Sequence, residues 1–165
     1  MMAGDTATSV GGVFERRLSL LGGLLREADP VPNERHLHWL CFAAQELGSI
    51  PREFEFVLRG GEAFSAGLDA TLGVMETLKL LVDTQTGSSL VLTERGRTMI
   101  SHRPLAIGAL TAFPTTELAD LGRCLYLRGV GVPTDELARV YQLRFWVDSA
   151  EADNVVRTLE TLLKG

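Results

Sequence analysis

Between Arg35 and Ile100 the chain alternates helical and strand-like hydrophobic patterns in an order that restricts its fold more than any other feature. Leu37, Leu40, Phe42, Ala44 and Leu47 mark an apolar-periodic helix that starts near Asn33 or Glu34 and ends at Gly48. Ile50-Pro51 then turns the chain into Phe54-Glu55-Phe56-Val57-Leu58, where alternation puts Phe54, Phe56 and Leu58 on one face of a strand. Gly60-Gly61 marks the turn out, and Ser65 is a good N-cap. Leu68, Leu72, Met75 and Leu78 follow at spacings of four, three and three, the stripe of a one-sided core helix. Two short strands, Leu80 to Asp83 and Ser89 to Leu92, flank the polar tip Thr84-Gln85-Thr86-Gly87-Ser88. Thr93 then caps a helix through Ile100.

Helices are predicted on both sides of this stretch. Phe14, Leu18, Leu21 and Leu25 form one stripe of a helix over Val13 to Ala28, although Gly22-Gly23 weakens it by roughly 1 kcal/mol per glycine relative to alanine. Asp29-Pro30-Val31-Pro32-Asn33 stops it, because proline cannot continue a helical hydrogen-bond ladder. Pro104 either kinks the element after Thr93 or opens the next one. Three more helices are predicted, about Thr116 to Leu127, Thr134 to Leu143 and Ser149 to Leu163, broken by Gly129 to Pro133 and by Phe145-Trp146-Val147 with an Asp148 or Ser149 cap. The expected fold is mainly α (α+β): a winged helix-turn-helix with a small antiparallel sheet and a helical C-terminal extension. Residues 1–12 are expected to be a disordered lead-in, and 13–165 a single domain divided into a winged-helix part, 13–103, and the extension, 104–165.

With 165 residues, 45% of them apolar, the chain can bury a core without metal or disulfide staples. Cys41 and Cys124 fall inside helical patterns, where buried reduced thiols are expected. Met1 to Gly12 lacks a basic start, an apolar core and a cleavage pattern, and no apolar run reaches the length of a membrane span, so a cytoplasmic protein without membrane association is expected. The net charge is -5, and acidic side chains outnumber basic ones throughout: seven to five over 1–53, six to four over 54–100, eight to seven over 101–165. Such a chain produces no long-range field that gathers phosphate.

The residues also resemble a known group. Leu24-Leu25, Asn33-Glu34-Arg35-His36-Leu37, Phe42, Gln45-Glu46-Leu47-Gly48, Phe54 to Leu58, Phe64-Ser65 with Leu68 and Leu72, and Leu92-Thr93-Glu94-Arg95-Gly96-Arg97 are similar to the pattern of YwgA-like winged-helix proteins. That family is related in layout to the Panacea (SocA-like antitoxin) group, and Leu118, Leu121 and Asp135-Glu136-Leu137 extend the likeness into the tail. His38-Trp39 stands where such proteins often carry Gln-Lys, and Glu62-Ala63 where they carry Gly-Pro. The resemblance implies a winged-helix protein whose members act chiefly through partners.

Chemistry-bearing patterns are few. Major-groove readers project Arg, Lys, Asn or Gln at base edges, and none occurs from Ser65 to Leu78, where Asp69 and Glu76 would repel phosphate. Nucleic-acid contacts would fall to Arg59, Lys79, Arg95, Arg97 and Arg103. His38 and Cys41 share a helix face, but no second ligand pair has metal spacing and His102 and Cys124 stand alone, so no metal is expected. Neither a nucleophile motif nor a phosphate-binding or dinucleotide-binding glycine pattern occurs, so neither catalysis nor a cofactor is expected. Trp39, Tyr141, Phe145 and Trp146 are candidate protein-contact residues, since aromatics dominate binding hot spots. The function expected is therefore a non-enzymatic regulator or adaptor that associates with a protein partner or with itself, as an antitoxin does. A DNA-binding transcriptional regulator is the alternative.

Overall fold

The computed structural model describes residues 2–82, 89–101 and 103–165, with side chains from residue 12 onward. Helix α1 spans Met2–Glu27, starting well upstream of the expected Val13. Leu20, Leu21, Leu24 and Leu25 are its buried stripe, whereas Phe14 is 38% exposed. Gly22 has a structural reason to lack a side chain, because a Cβ there would lie 2.5 Å from Ile100 Cγ2.

Helix α2, Glu34–Glu46, begins at Asn33, whose side-chain oxygen accepts the His36 N–H at 2.7 Å. Every residue from His36 to Gln45 is buried, so α2 is the central helix and lies most extensively against α6, Thr115–Gly129. That close approach depends on Gly122 of α6, where a Cβ would sit 2.3 Å from the Trp39 ring. Beyond α2, Gln45 donates to the Phe54 carbonyl and accepts the Phe54 N–H. With its backbone bonded to a side chain, Phe54 does not join a sheet. The strand predicted from Phe54 shrinks to β1, Val57–Arg59.

Strand β1 pairs antiparallel with β2, Glu62–Phe64, in the register Val57↔Phe64, Leu58↔Ala63 and Arg59↔Glu62. Gly60 and Gly61 both have positive φ, 57° and 79°, as a two-residue hairpin turn demands. These glycines thus close a hairpin rather than merely leading out of a strand. The later predicted hairpin exists as single bridges, Leu81↔Leu92 and Val31↔Leu90, with Val82 N–H donating to Val91 at 2.8 Å. Its expected tip, residues 84–88, and His102 lie outside the described residues.

Helix α3, Ala66–Thr77, is capped by Ser65 and buries Leu68, Thr71, Leu72 and Met75. Leu78, expected in the core stripe, is 41% exposed because the helix has ended and Leu78 serves as its C-cap. Helix α4, Glu94–Met99, starts at Thr93, whose hydroxyl accepts the Gly96 N–H and donates to the Lys79 carbonyl. A Cβ on Gly96 would meet the Leu80 carbonyl oxygen at 2.3 Å, so this turn closes against backbone. Pro104 neither kinks α4 nor opens a helix; it lies in the connection to α5, Gly108–Thr111. Helices α7, Leu137–Phe145, and α8, Ser149–Lys164, follow close to their predicted ranges, with a 3-10 turn over Thr134–Glu136 before α7 and Asp148 capping α8. The chain is mainly helical with one small antiparallel sheet of two strands among the described residues.

Candidate protein-contact site

The tight contact between Trp39 and Gly122 sets the next residue of α6, Arg123, across the aromatic cluster. Its guanidinium lies 5.4 Å from the Trp39 ring centre and 5.7 Å from that of Phe145, within cation–π range. Arg123 Nε donates to the Gly61 carbonyl at 2.8 Å, Nη1 to Asp120 Oδ1 at 3.1 Å and Nη2 to Glu62 Oε1 at 3.3 Å. One side chain thereby joins the Gly60-Gly61 turn, α6 and the end of α7.

Glu62 carries the network outward. It accepts Arg35 through both oxygens at 2.9 Å and the Trp39 Nε1–H at 2.9 Å. Burial pushes its carboxyl pKa up, but hydrogen bonds from Arg35 and Trp39, with the Arg35 and Arg123 charges, outweigh that and hold it below the ordinary carboxylate value. Tyr141 donates its hydroxyl to Asp120 at 3.0 Å; burial first, then the Asp120 charge and that hydrogen bond, push the phenol up. Glu62 is therefore an anionic anchor at neutral pH. The polar groups of the floor are largely satisfied.

Above this floor opens a cleft of about 490 Å³ between Leu58, the Gly60-Gly61 turn, α6 and the stretch from Tyr141 to Val147. Trp146 on its rim is 92% exposed and ends α7 in the left-handed region, with φ 57°. Leu143 is 70% exposed on the same turn of helix. Arg144, also lining the cleft, makes no ion pair among the described residues.

Of the four aromatic residues singled out in the sequence, the fold gathers Tyr141, Phe145 and Trp146 at this cleft and sets Trp39 beneath it. Their roles divide by burial. Trp39 and Tyr141 are fully buried and build the floor, which corrects their expected place as contact residues, whereas Phe145 is half-buried and Trp146 open. Arg123, Asp120, Glu62 and Arg144 were not apparent as site residues, because their association depends on contacts between elements far apart in the chain.

The five cations proposed for nucleic acid are all exposed but do not form one group. Arg59 sits on β1 over the Phe64 ring at 5.0 Å. Lys79 adjoins α4 through the Thr93 hydroxyl, near Arg95 and Arg97, and Arg97 pairs with Asp29 at 3.6 Å. Arg103 lies beyond α4. The exposed face of α3 carries Asp69 and Glu76 and no cation.

His36 and His38 are both engaged. His36 Nδ1 lies 2.8 Å from the Thr115 hydroxyl, and His38 Nδ1 accepts the Ser65 N–H at 3.2 Å while its ring stacks on Phe64. Burial pushes the Cys41 thiol up and the Cys124 thiol up to about 11, so neither is a thiolate near neutrality. Among the described residues no three His, Cys, Asp or Glu side chains cluster as metal ligands, and no helix is long and apolar enough to cross a membrane. Comparison with known proteins finds no matching family model, curated protein or solved structure.

Proposed function

We propose that the protein is a non-enzymatic winged-helix regulator or adaptor that works by protein association through the cleft face beside Trp146. The observation that carries this reading is a tryptophan exposed over 92% of its surface and kept in a left-handed backbone at a helix end. Solvent exposure of so large an apolar side chain, flanked by Leu143, is costly in isolation and useful when a partner covers it. The winged-helix reading is supported by bridged segments in the order Val31, Leu90 to Leu92, Leu81, which alternate along the chain with α2, α3 and α4. The resemblance to YwgA-like and antitoxin-related proteins favours a partner-neutralising role of the same kind.

The test is association of the whole chain, by sedimentation and by co-purification with identified proteins, for the natural protein and for Trp146→Ala. Association that is at least tenfold weaker in the variant, with an unchanged circular dichroism spectrum, is expected. Equal association by both proteins would remove Trp146 as the anchor. A protein that stays monomeric and partnerless would overturn the reading itself.

A further inference from the structure

Three features of the cleft together describe the chemistry of what it accepts. First, its charge runs against that of the molecule. In a chain of net charge -5, the charged side chains lining the cleft are Asp120, Arg123 and Arg144, and Glu62 and Arg35 lie behind them in the ion-pair network. Arg35 and Arg123 are consumed by those carboxylates, which leaves the Arg144 guanidinium as the uncompensated charge on the cleft wall. The next carboxylate along the chain, Asp148, is turned to the start of α8, where it accepts the Glu151 N–H at 2.8 Å. A free guanidinium beside apolar walls suits a carboxylate, which it can hold through two parallel hydrogen bonds.

Second, the backbone offers a pairing edge. In a hairpin with a two-residue turn, the Arg59–Glu62 pair exchanges both hydrogen bonds, so the next pair, Leu58–Ala63, is the non-bonded kind. The N–H and C=O of Leu58 therefore point away from β2, and Leu58 lines the cleft. An extended chain can add there as a strand adds to an edge. Third, Trp146 and Phe145 supply an aromatic wall, half of it already in water.

We propose that the cleft between the Gly60-Gly61 turn and Trp146 docks an extended segment of a protein partner, one that carries a carboxylate side chain next to an aliphatic or aromatic one. The segment runs along the Leu58 edge, its apolar side chain lies against Phe145 and Trp146, and its carboxylate meets Arg144. This inference rests on the reading of the protein as one that acts by association, and adds the chemistry of the partner. Its complement is acidic and apolar together; a nucleic-acid duplex is also anionic, but its bases are stacked inside and offer the aromatic wall no apolar group beside the charge.

The experiment uses the full chain as bait for a displayed library of random 12-residue peptides, followed by titration of a synthetic enriched peptide. The chain has two tryptophans, of which Trp39 is fully buried, so iodide quenching of the emission reports on Trp146. The expected result is enrichment of sequences with Asp or Glu adjacent to an apolar residue, protection of Trp146 from iodide, and binding at least tenfold weaker for Arg144→Glu with the fold intact by circular dichroism. Arg144→Lys, which keeps the charge but not the fork, should fall between. An unenriched library, a basic consensus, binding that survives Arg144→Glu, or protection of Trp146 by a DNA duplex in place of the peptide overturns the proposal. If the whole chain still associates with a protein while these peptide results fail, association stands and the acidic–apolar docking mode alone is lost.

Discussion

Lys79 occupies the left-handed region, φ 59°, at the position that glycine fills after α2 and after α6. All three ends share one hydrogen-bond pattern: Gly48 and Ser49 bond back to Gln45 and Ala44, Gly131 and Val132 to Arg128 and Leu127, Lys79 and Leu80 to Glu76 and Met75. A side chain costs about 1–2 kcal/mol in this conformation, so Lys79→Gly should raise unfolding free energy by about 1 kcal/mol, read from the denaturant midpoint at constant slope. Trp146 has the same backbone state, and Trp146→Gly should stabilise the isolated protein by a similar amount. Gain of stability together with weaker association would mark strain kept for contact; a destabilised Trp146→Gly would show instead that the indole supports the fold. Gly122 is the opposite case. Its Cβ would enter the Trp39 ring, so Gly122→Ala should cost about 1–3 kcal/mol by overpacking, measurable in the same denaturation. None of these roles was legible in the sequence: a glycine shows its backbone freedom there, but not the ring that lies against it.

At the scale of elements, helices were more legible than strands because their periodicity and caps are local. Asn33, Ser65, Thr93 and Asp148 each accept a backbone N–H at a helix start; Ser65 and Thr93 were expected as caps, Asp148 as one of two candidates with Ser149, and Asn33 only as a possible start of its helix. Strand β2 was missed because Glu62-Ala63-Phe64 is too short to show alternation, and β1 was overextended because Gln45 claims the Phe54 backbone. The junction of β2 and α3 carries a further consequence, since the Ser65 N–H is accepted by His38. Burial lowers the pKa of both His36 and His38 from the ordinary value near 6.5, with the Asp69 charge only partly opposing it at His38. The folded state thus binds fewer protons than the unfolded chain as pH falls below about 6.5. Their contribution to stability is complete above that value and is lost as pH descends through the lowered folded values. The denaturation midpoint should therefore drop on acidification from pH 7 toward 5, and His38→Gln, whose amide oxygen can accept the same N–H, should flatten part of that slope. An unchanged slope in the variant would assign the acid sensitivity to His36 or to carboxylates.

For the whole molecule, the candidate site was half legible: the aromatic residues could be picked out, but the Arg123 network that organises them arises only when the hairpin, α6 and α7 meet. Charge was legible from composition and has a direct experimental consequence. The winged-helix alternative as a DNA reader would need cations on α3, whose exposed face is acidic, or a convergent set elsewhere, yet Arg59 and the Lys79–Arg97 group lie on separate elements. Arg97 is further offset by Asp29. Any duplex binding should therefore be weak and confined to low salt, with log K falling by about 0.9 per log unit of salt for each phosphate neutralised. Fluorescence anisotropy of a labelled random duplex, titrated with protein across salt concentrations, measures that slope directly. A slope near zero, or no saturable binding, is expected from a surface whose cations are dispersed among more numerous acids. A steep slope reduced by Arg95→Ala and Lys79→Ala would instead place phosphate contacts at the junction of α3 and α4. Because Trp146 lies at the far end of α7, in another part of the chain, its substitution should leave such a slope unchanged; a shift on Trp146→Ala would mean that nucleic acid and protein partner compete for one face.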